Sequence, residues 1–419
     1  MRKLSSCEDP WVHWSFKQLA LINSSRVSRM RHIRVRACLL FVCLSLLVLH
    51  LLKDVMDPKT LHLQANMREE LDQTTTVAPK HYGFLWPSCR QNMSVANISG
   101  FSSLPDVIKH FLYSRHCRKF PMLLDLPQKC GGVDRSEDVF LLLVIKSSPV
   151  NYERREVLRK TWAKERLHNG KWIRRVFISG TMDKGFENTR LNKLLEIEQR
   201  EHKDILQWDF ADSFYNLTLK QVLFLEWMER NCPKARFVFN GDDDVFANTD
   251  NMVEYLQSLE GNDGRKHLFT GHLIQNVGPI RSPGSKYYIP VQVQESNSYP
   301  PYCGGGGFLL SGYTALVIFN MSHSITILPI DDVYMGMCLA KAGLAPSSHM
   351  GVKTAGLHIP YSNLDKFDPC YYREVLLVHR FLPAQIFLMW HRIHDPALKC
   401  ASSINQQIKT WDLTRSATD

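Results

Sequence analysis

The run V-F-L-L-L-V-I from Val139 to Ile145 limits the folds open to this chain more than any other stretch. An unbroken apolar run of strand length, ended by Lys146-Ser147-Ser148-Pro149, fits a strand covered on both faces rather than one with a wet side. Such a strand needs helices above and below it, and the following segments supply them. Tyr152 to Lys164 reads as a helix, Val176 to Ile178 as a short strand, Asn188 to His202 as a helix, Ile205 to Trp208 as a strand and Leu217 to Arg230 as a helix. Strand and helix in alternation predict an α/β fold with a mostly parallel central sheet. Ligands of such sheets bind at the carboxyl ends of the strands.

One stretch, R-F-V-F-N-G-D-D-D-V-F at Arg236 to Phe246, places three carboxylates at such an end. Phe237, Val238 and Phe239 favour a buried strand and Asn240-Gly241 breaks it, so Asp242, Asp243 and Asp244 arrive at its tip. Carboxylates are hard ligands that hold Mg²⁺ or Mn²⁺ together with substrate phosphates, which suggests a metal-diphosphate site. The plainer reading is an acidic turn capping the helix that begins near Thr249. Arg155, Arg159 and Trp162 fall along one helical face, where two guanidiniums need neutralising; a nucleotide would do this, and the alternative is a solvated basic face with Trp162 in the core. Gly304 to Gly307, within Y-C-G-G-G-G-F, permits close backbone approach to a ligand, and apolar flanks argue against a linker. Asp331 and Asp332 stand at a predicted helix start: capping accounts for one, and the other is a candidate general base. Val375 to Val378 delivers His379, a lone histidine near a strand end whose plainer role is structural.

The net charge of +10 suggests a polyanion partner until it is located. Residues 1–36 carry eight Lys and Arg against Glu8 and Asp9, so most of the excess sits in the N-terminal tail and a nucleic-acid partner is disfavoured. Ala37 to Leu52 is uncharged apart from His50 and suits a membrane anchor; with five arginines before it, the positive-inside rule makes this a type II topology with everything later in the lumen. A cleaved signal peptide is the alternative, but no small-residue cleavage site follows. Met30 is an alternative start. Residues 53–83 read as a polar stem, 84–137 as an irregular, disulfide-pinned lead-in, 138–400 as the main domain and 401–419 as a polar tail. Eight cysteines fall on the lumenal side, an even number that favours disulfides without fixing their pairing. No C-x-x-C pair is present, which argues against zinc. Sequons at Asn92, Asn97, Asn216 and Asn320 lie on the same side.

Taken in order, L-L-L-V-I-K-S at 141–147, R-R-E-V-L-R-K-T-W at 154–162, D-S-F-Y-N-L-T-L-K at 212–220, F-N-G-D-D-D-V-F at 239–246, Y-C-G-G-G-G-F at 302–308, I-D-D-V-Y-M-G at 330–336 and L-V-H at 377–379 resemble the β-1,3-glycosyltransferases of the Golgi. Within that family, G-x-L-I-Q-N-V-G-P-I-R at 271–281, K-Y-Y at 286–288 and P-P-Y-C-G-G-G-G-F at 300–308 are most similar to the β-1,3-N-acetylglucosaminyltransferases, particularly those extending core 1 O-glycans. The resemblance implies a GT-A fold, UDP-GlcNAc as donor, Mn²⁺ as cofactor and inverting transfer to O3 of a β-galactoside on a glycoprotein glycan. By position it makes Asp244 the direct metal ligand, Asp242 a group near the ribose or metal, His379 a residue approaching the metal and Asp332 the base. Lys146, Arg155 and Arg159 fall around the uridine diphosphate, and Asp243, Gly305 and Gly306 count with the donor-binding residues. The long basic tail departs from the group's pattern. Competing readings are a β-1,3-galactosyltransferase using UDP-Gal and a silent membrane lectin, while homodimer formation stays open.

Overall fold

The computed structural model describes residues 89–182, 186–354 and 367–400. The expected basic tail, membrane anchor, stem and C-terminal tail lie outside these residues, and none of the described helices is long and apolar enough to cross a membrane.

The described chain opens with helix α1 (Asp106–Ser114) and strand β1 (Met122–Leu124). The alternating part follows: β2 (Val139–Lys146), α2 (Tyr152–Lys160), β3 (Arg166–His168), β4 (Lys171–Thr181), α3 (Phe186–His202), β5 (Ile205–Ala211), α4 (Leu217–Asn231) and β6 (Phe237–Asp242). Then come β7 (Val245–Ala247), α5 (Thr249–Ser258), β8 (Phe269–Gly271), β9 (Leu273–Ile274), β10 (Tyr302–Cys303), β11 (Gly307–Ser311), α6 (Gly312–Ser322) and α7 (Asp331–Lys341). Strands β12 (Ser347–Ser348) and β13 (Val352–Lys353), helix α8 (Pro369–Glu374), strand β14 (Leu377–His379) and helix α9 (Pro383–Ile393) complete it.

Strand β2 is buried along its whole length, as its apolar run requires. Leu142 and Val144 face one hydrophobic core and Leu141, Leu143 and Ile145 the other. Burial on both faces is why no polar residue interrupts the run. The main sheet runs β1-β5-β4-β2-β6-β11-β8-β12, with β3 on the outer part of β4. The expectation of a mostly parallel sheet needs correction, because the sheet is mixed. Strands β5, β4, β2 and β6 are mutually parallel neighbours, but β11 runs antiparallel to both β6 and β8 and β1 runs antiparallel to β5. The cause is local: the glycine segment enters beside the tip of β6, opposing Gly307 to Gly241, so β11 must run back down the strand it has just met.

Two further corrections concern side chains. Helix α2 ends at Lys160, with Thr161 as its C-cap, so Trp162 is not on the helical face expected for it. It is fully buried, and its indole N–H donates to the Val245 carbonyl at 3.0 Å. Of the eight later cysteines, six pair as Cys89–Cys117, Cys130–Cys232 and Cys370–Cys400, whereas Cys303 and Cys338 are free and buried.

Arg155 and Arg159 point into the protein. Arg155 is 0 % exposed and forks onto Glu198 at 2.8 and 2.6 Å. Arg159 forks onto Asp204 at 2.9 Å on both oxygens, and Arg175 meets the same carboxylate at 2.6 Å. Burial opposes the charge on Asp204, but the bonds and charges of these two guanidiniums hold its pKa below the usual range. Removing one partner of such a network strands buried charge and costs about 3–5 kcal/mol. Asp204→Ala should therefore lower the urea midpoint by that free energy with the denaturant slope unchanged; a loss below about 1 kcal/mol would show that the network is not what fixes α2.

Candidate active site

The carboxyl ends of β2 and β6 open into a cleft of about 1000 Å³. Its walls include Lys146, Asp242, Asp243, Asp244, Gly305, Gly306, Asp331, Asp332 and His379. Parallel pairing sets Lys146 directly beside Asp242. The Lys146 ammonium lies 3.0 Å from Asp242 and 2.7 Å from Asp331, and is nearly buried. Burial works against its charge, but the two carboxylates outweigh this and raise its pKa. Lys146 thus lines the cleft as expected while its charge is committed to holding two acids.

Asp244 lies past the end of β6, and the small sheet β13-β14-β7 brings His379 to it. Antiparallel pairing opposes His379 to Val245, and the Phe381 amide donates to the Asp244 carbonyl at 2.7 Å. The imidazole Nε2 then stands 3.2 Å from the Asp244 carboxylate. Burial opposes both charges, but each partner stabilises the other: Asp244 stays below the usual carboxylate range and His379 is raised. One ligand atom from each of Asp242, Asp244 and His379 falls within 4.8 Å of the others, so the three can hold one cation. Two carboxylates and an imidazole, half-exposed at a cleft, fit a divalent ion that keeps open positions for other ligands. Asp243, also in the cleft wall, pairs with other residues. Its carboxylate accepts from Asn151 at 2.8 Å and lies 3.8 Å from Arg154, and burial raises its pKa.

The second acidic pair divides differently from a simple cap. The N-cap of α7 is Ile330, without a side-chain capping bond. Asp331 is the ion-pair partner of Lys146, and Asp332 accepts from the Val333 amide at 2.8 Å. Burial first, and then the charge of Asp331 beside it, push the Asp332 carboxyl up to about 7. A carboxyl poised there can take a proton near neutral pH. The glycine loop lies between the two acidic groups. A Cβ at Gly305 would come within 3.7 Å of Asp332, and one at Gly306 within 3.0 Å of the His379 ring, at a backbone φ of +96° that favours glycine.

Arg155 and Arg159, expected around a uridine diphosphate, do not line this cleft: Glu198 and Asp204 neutralise them instead. The cleft-facing arginine of α2 is Arg154, which sequence reasoning missed. Lys220 and Asp212 were quoted only within a motif; in the cleft wall they form a buried pair, both carboxylate oxygens at 2.8 Å. Tyr299 and Tyr302 also line it and were not singled out. Their signal was present only as the aromatic character of the segment before the glycines.

Residues 153–350 match the family described as Galactosyltransferase. The chain is 54% identical over 315 residues to human N-acetyllactosaminide beta-1,3-N-acetylglucosaminyltransferase 3, covering 75% of this chain and 82% of the relative. It is 49% identical over 316 residues to human acetylgalactosaminyl-O-glycosyl-glycoprotein beta-1,3-N-acetylglucosaminyltransferase, covering 75% and 81%. With mouse UDP-GlcNAc:betaGal beta-1,3-N-acetylglucosaminyltransferase 7 it shares 42% identity over 325 residues, 77% and 80% of the two chains.

Displacing a group that orients a metal ligand commonly costs 10- to 100-fold in metal affinity. Gly306→Ala, which must push the His379 ring, should weaken Mn²⁺ binding by about that factor in calorimetric titration. Gly284→Ala is the control, since nothing lies within 4 Å of its added carbon. Equal affinities in both variants would remove His379 from the metal site.

Proposed function

The chain belongs to the Galactosyltransferase family, and on that premise we infer that its cleft moves N-acetylglucosamine from UDP-GlcNAc to O3 of a β-linked galactose with inversion. It is an enzyme of the β-1,3-N-acetylglucosaminyltransferase type, as its relatives are. The observation that carries the mechanism is Asp332, a carboxyl at about 7 set across the glycine loop from Asp244 and His379. In the reaction Asp332 takes the proton from the galactose O3–H as O3 forms its bond to C1 of the donor sugar. The C1–O bond to the diphosphate breaks on the opposite face, and its electron pair leaves with UDP. Asp242, Asp244 and His379 would hold a divalent cation, read here as Mn²⁺, whose chemistry when bound is Lewis-acid neutralisation of the diphosphate.

Other groups position rather than react. Lys146 balances Asp242 and Asp331, so that donor phosphates meet fewer uncompensated carboxylates. Arg154 adds a cation to the donor side, while Asn151 holds Asp243 in the cleft wall. The strand order and the acidic tip support a GT-A type domain. Three disulfides suit an oxidising compartment, and with the apolar segment 37–52 they support a Golgi type II membrane protein whose catalytic part is lumenal. Acceptors would be O-glycans or poly-N-acetyllactosamine. Purified protein with Mn²⁺, a panel of UDP-sugars and core 1, lactose and polylactosamine acceptors tests this; preferential use of UDP-Gal would replace the donor assignment.

General-base help is worth about 10²- to 10⁴-fold. Asp332→Asn should lose transfer by that order while still binding UDP in calorimetry; turnover at the wild-type rate would move the base elsewhere. The base must be ionised, and burial raises its pKa, so kcat/KM should climb with pH through about 7 and level off above it. A profile already flat from pH 5 would contradict the assignment.

A further inference from the structure

A second cavity, of about 840 Å³, opens at the amino ends of β2 and β4. Val139 in its wall and Lys146 in the catalytic cleft are the two ends of one strand, about 23 Å apart at the usual strand rise. Its walls are held in place. The Cys130–Cys232 disulfide ties down the loop on one side, and the Lys129 ammonium, 2.6 Å from Glu165, also donates to the Lys203 carbonyl at 2.9 Å. Lys203 has a left-handed backbone, φ 50°, uncommon for a residue other than glycine.

The wall carries five Lys and Arg against three Asp and Glu, so the cavity is electropositive and draws anions. Its acids already have partners. Asp125 accepts from the Trp227 indole at 2.9 Å, Asp138 pairs with Arg135 at 3.3 Å, and Glu165 faces Lys129 and, at 3.7 Å, Arg174. Arg200 and Lys203 are exposed and have no acidic partner among the described residues. The same wall offers an apolar platform: Trp172 is 40 % exposed, with the Arg174 guanidinium 4.4 Å from its ring centre to steady it. A bare sulfate or phosphate would use the cations but not the ring. A pyranose, with one face of C–H groups, would use the ring, and an acidic substituent on it the cations.

We propose that this cavity is a second, non-catalytic carbohydrate site for a sugar bearing a carboxylate or a sulfate ester, with Arg200 and Lys203 on the acid and Trp172 against the sugar ring. Binding there does not depend on the transfer reaction inferred above.

Calorimetric titration of the protein with 3′-sialyllactose, 6-sulfo-N-acetyllactosamine, lactose and sodium sulfate tests it. The acidic sugars should bind, and less tightly as salt is raised; the tighter of the two identifies the acid. Combining Arg200→Glu with Lys203→Glu should weaken them at least tenfold, the worth of a charged hydrogen bond, and leave any lactose binding unchanged. Both side chains are exposed and unpaired, so this variant should melt with the wild type. Trp172→Ala should weaken the acidic sugars but not sulfate. Acidic sugars held equally tightly by the double variant would lie in the catalytic cleft. Sulfate bound as tightly as the sugars, or sugars indifferent to Trp172→Ala, would mean an adventitious ion only. Each of these results, or no binding of either acidic sugar, would overturn the proposal.

Discussion

The contact of Lys146 with Asp242 and Asp331 governs the cleft because six carboxylates line one cavity, Asp212, paired with Lys220, and the five of Asp242 to Asp244, Asp331 and Asp332. Like charges about 4 Å apart repel by roughly 4 kcal/mol at the effective dielectric of a protein surface. A single ammonium at 2.7 and 3.0 Å from two of them relieves this and joins residues 185 positions apart in the chain. What it leaves uncompensated is the useful remainder. Asp244 has His379 as its partner, and Asp332 has only a backbone amide, which is why the two acids lie on opposite sides of the usual carboxylate range.

Topology does the rest of the assembly. Had the sheet stayed parallel past β6, the next strand would have started at the far end and its loop would have opened away from the acidic tip. Antiparallel β11 instead starts where β6 ends, so its preceding glycines lie against Asp242 by construction, the Asp242 amide donating to the Gly306 carbonyl at 3.1 Å. The short β7-β14 pair repeats the device on the next few residues and delivers His379. Two reversals at one strand end gather groups from 242 to 379 that no single loop could span.

These reversals mark where the sequence stopped being legible. The buried strand β2, the helix-strand alternation and the acidic tip of β6 could be read directly, because burial on both faces and a broken apolar run leave local signatures. Strand direction leaves none: β11 is five apolar or small residues that would read the same in either sense. Asp332 and His379 were assigned through family resemblance, since neither the I-D-D nor the L-V-H run declares its role by composition. Asp331 shows the limit most plainly. Helix position suggested a cap for one member of the Asp331–Asp332 pair, and only the fold reveals that Lys146 claims Asp331. The even cysteine count likewise suggested full pairing, whereas Cys303 lies against Gly271 and is buried as a thiol.

The arginines of α2 show why adjacent residues can have unrelated tasks. A helix turns about 100° per residue, so Arg154 looks into the cleft while Arg155 and, one turn later, Arg159 look into the protein. Their need for neutralisation was correctly read; the agent was not. Glu198 on α3 and Asp204 just before β5 supply the negative charge, permanently and without solvent. This has a consequence for the site. The helix that presents Arg154 to the cleft, with Asn151 at its N-cap, is clamped from behind by buried ion pairs. Charge that looked like a binding face is the foundation on which that face stands, and replacing Arg155 should disturb the site through Ser147 and Ser148 of the cleft wall, to which it donates at 3.0 and 2.6 Å.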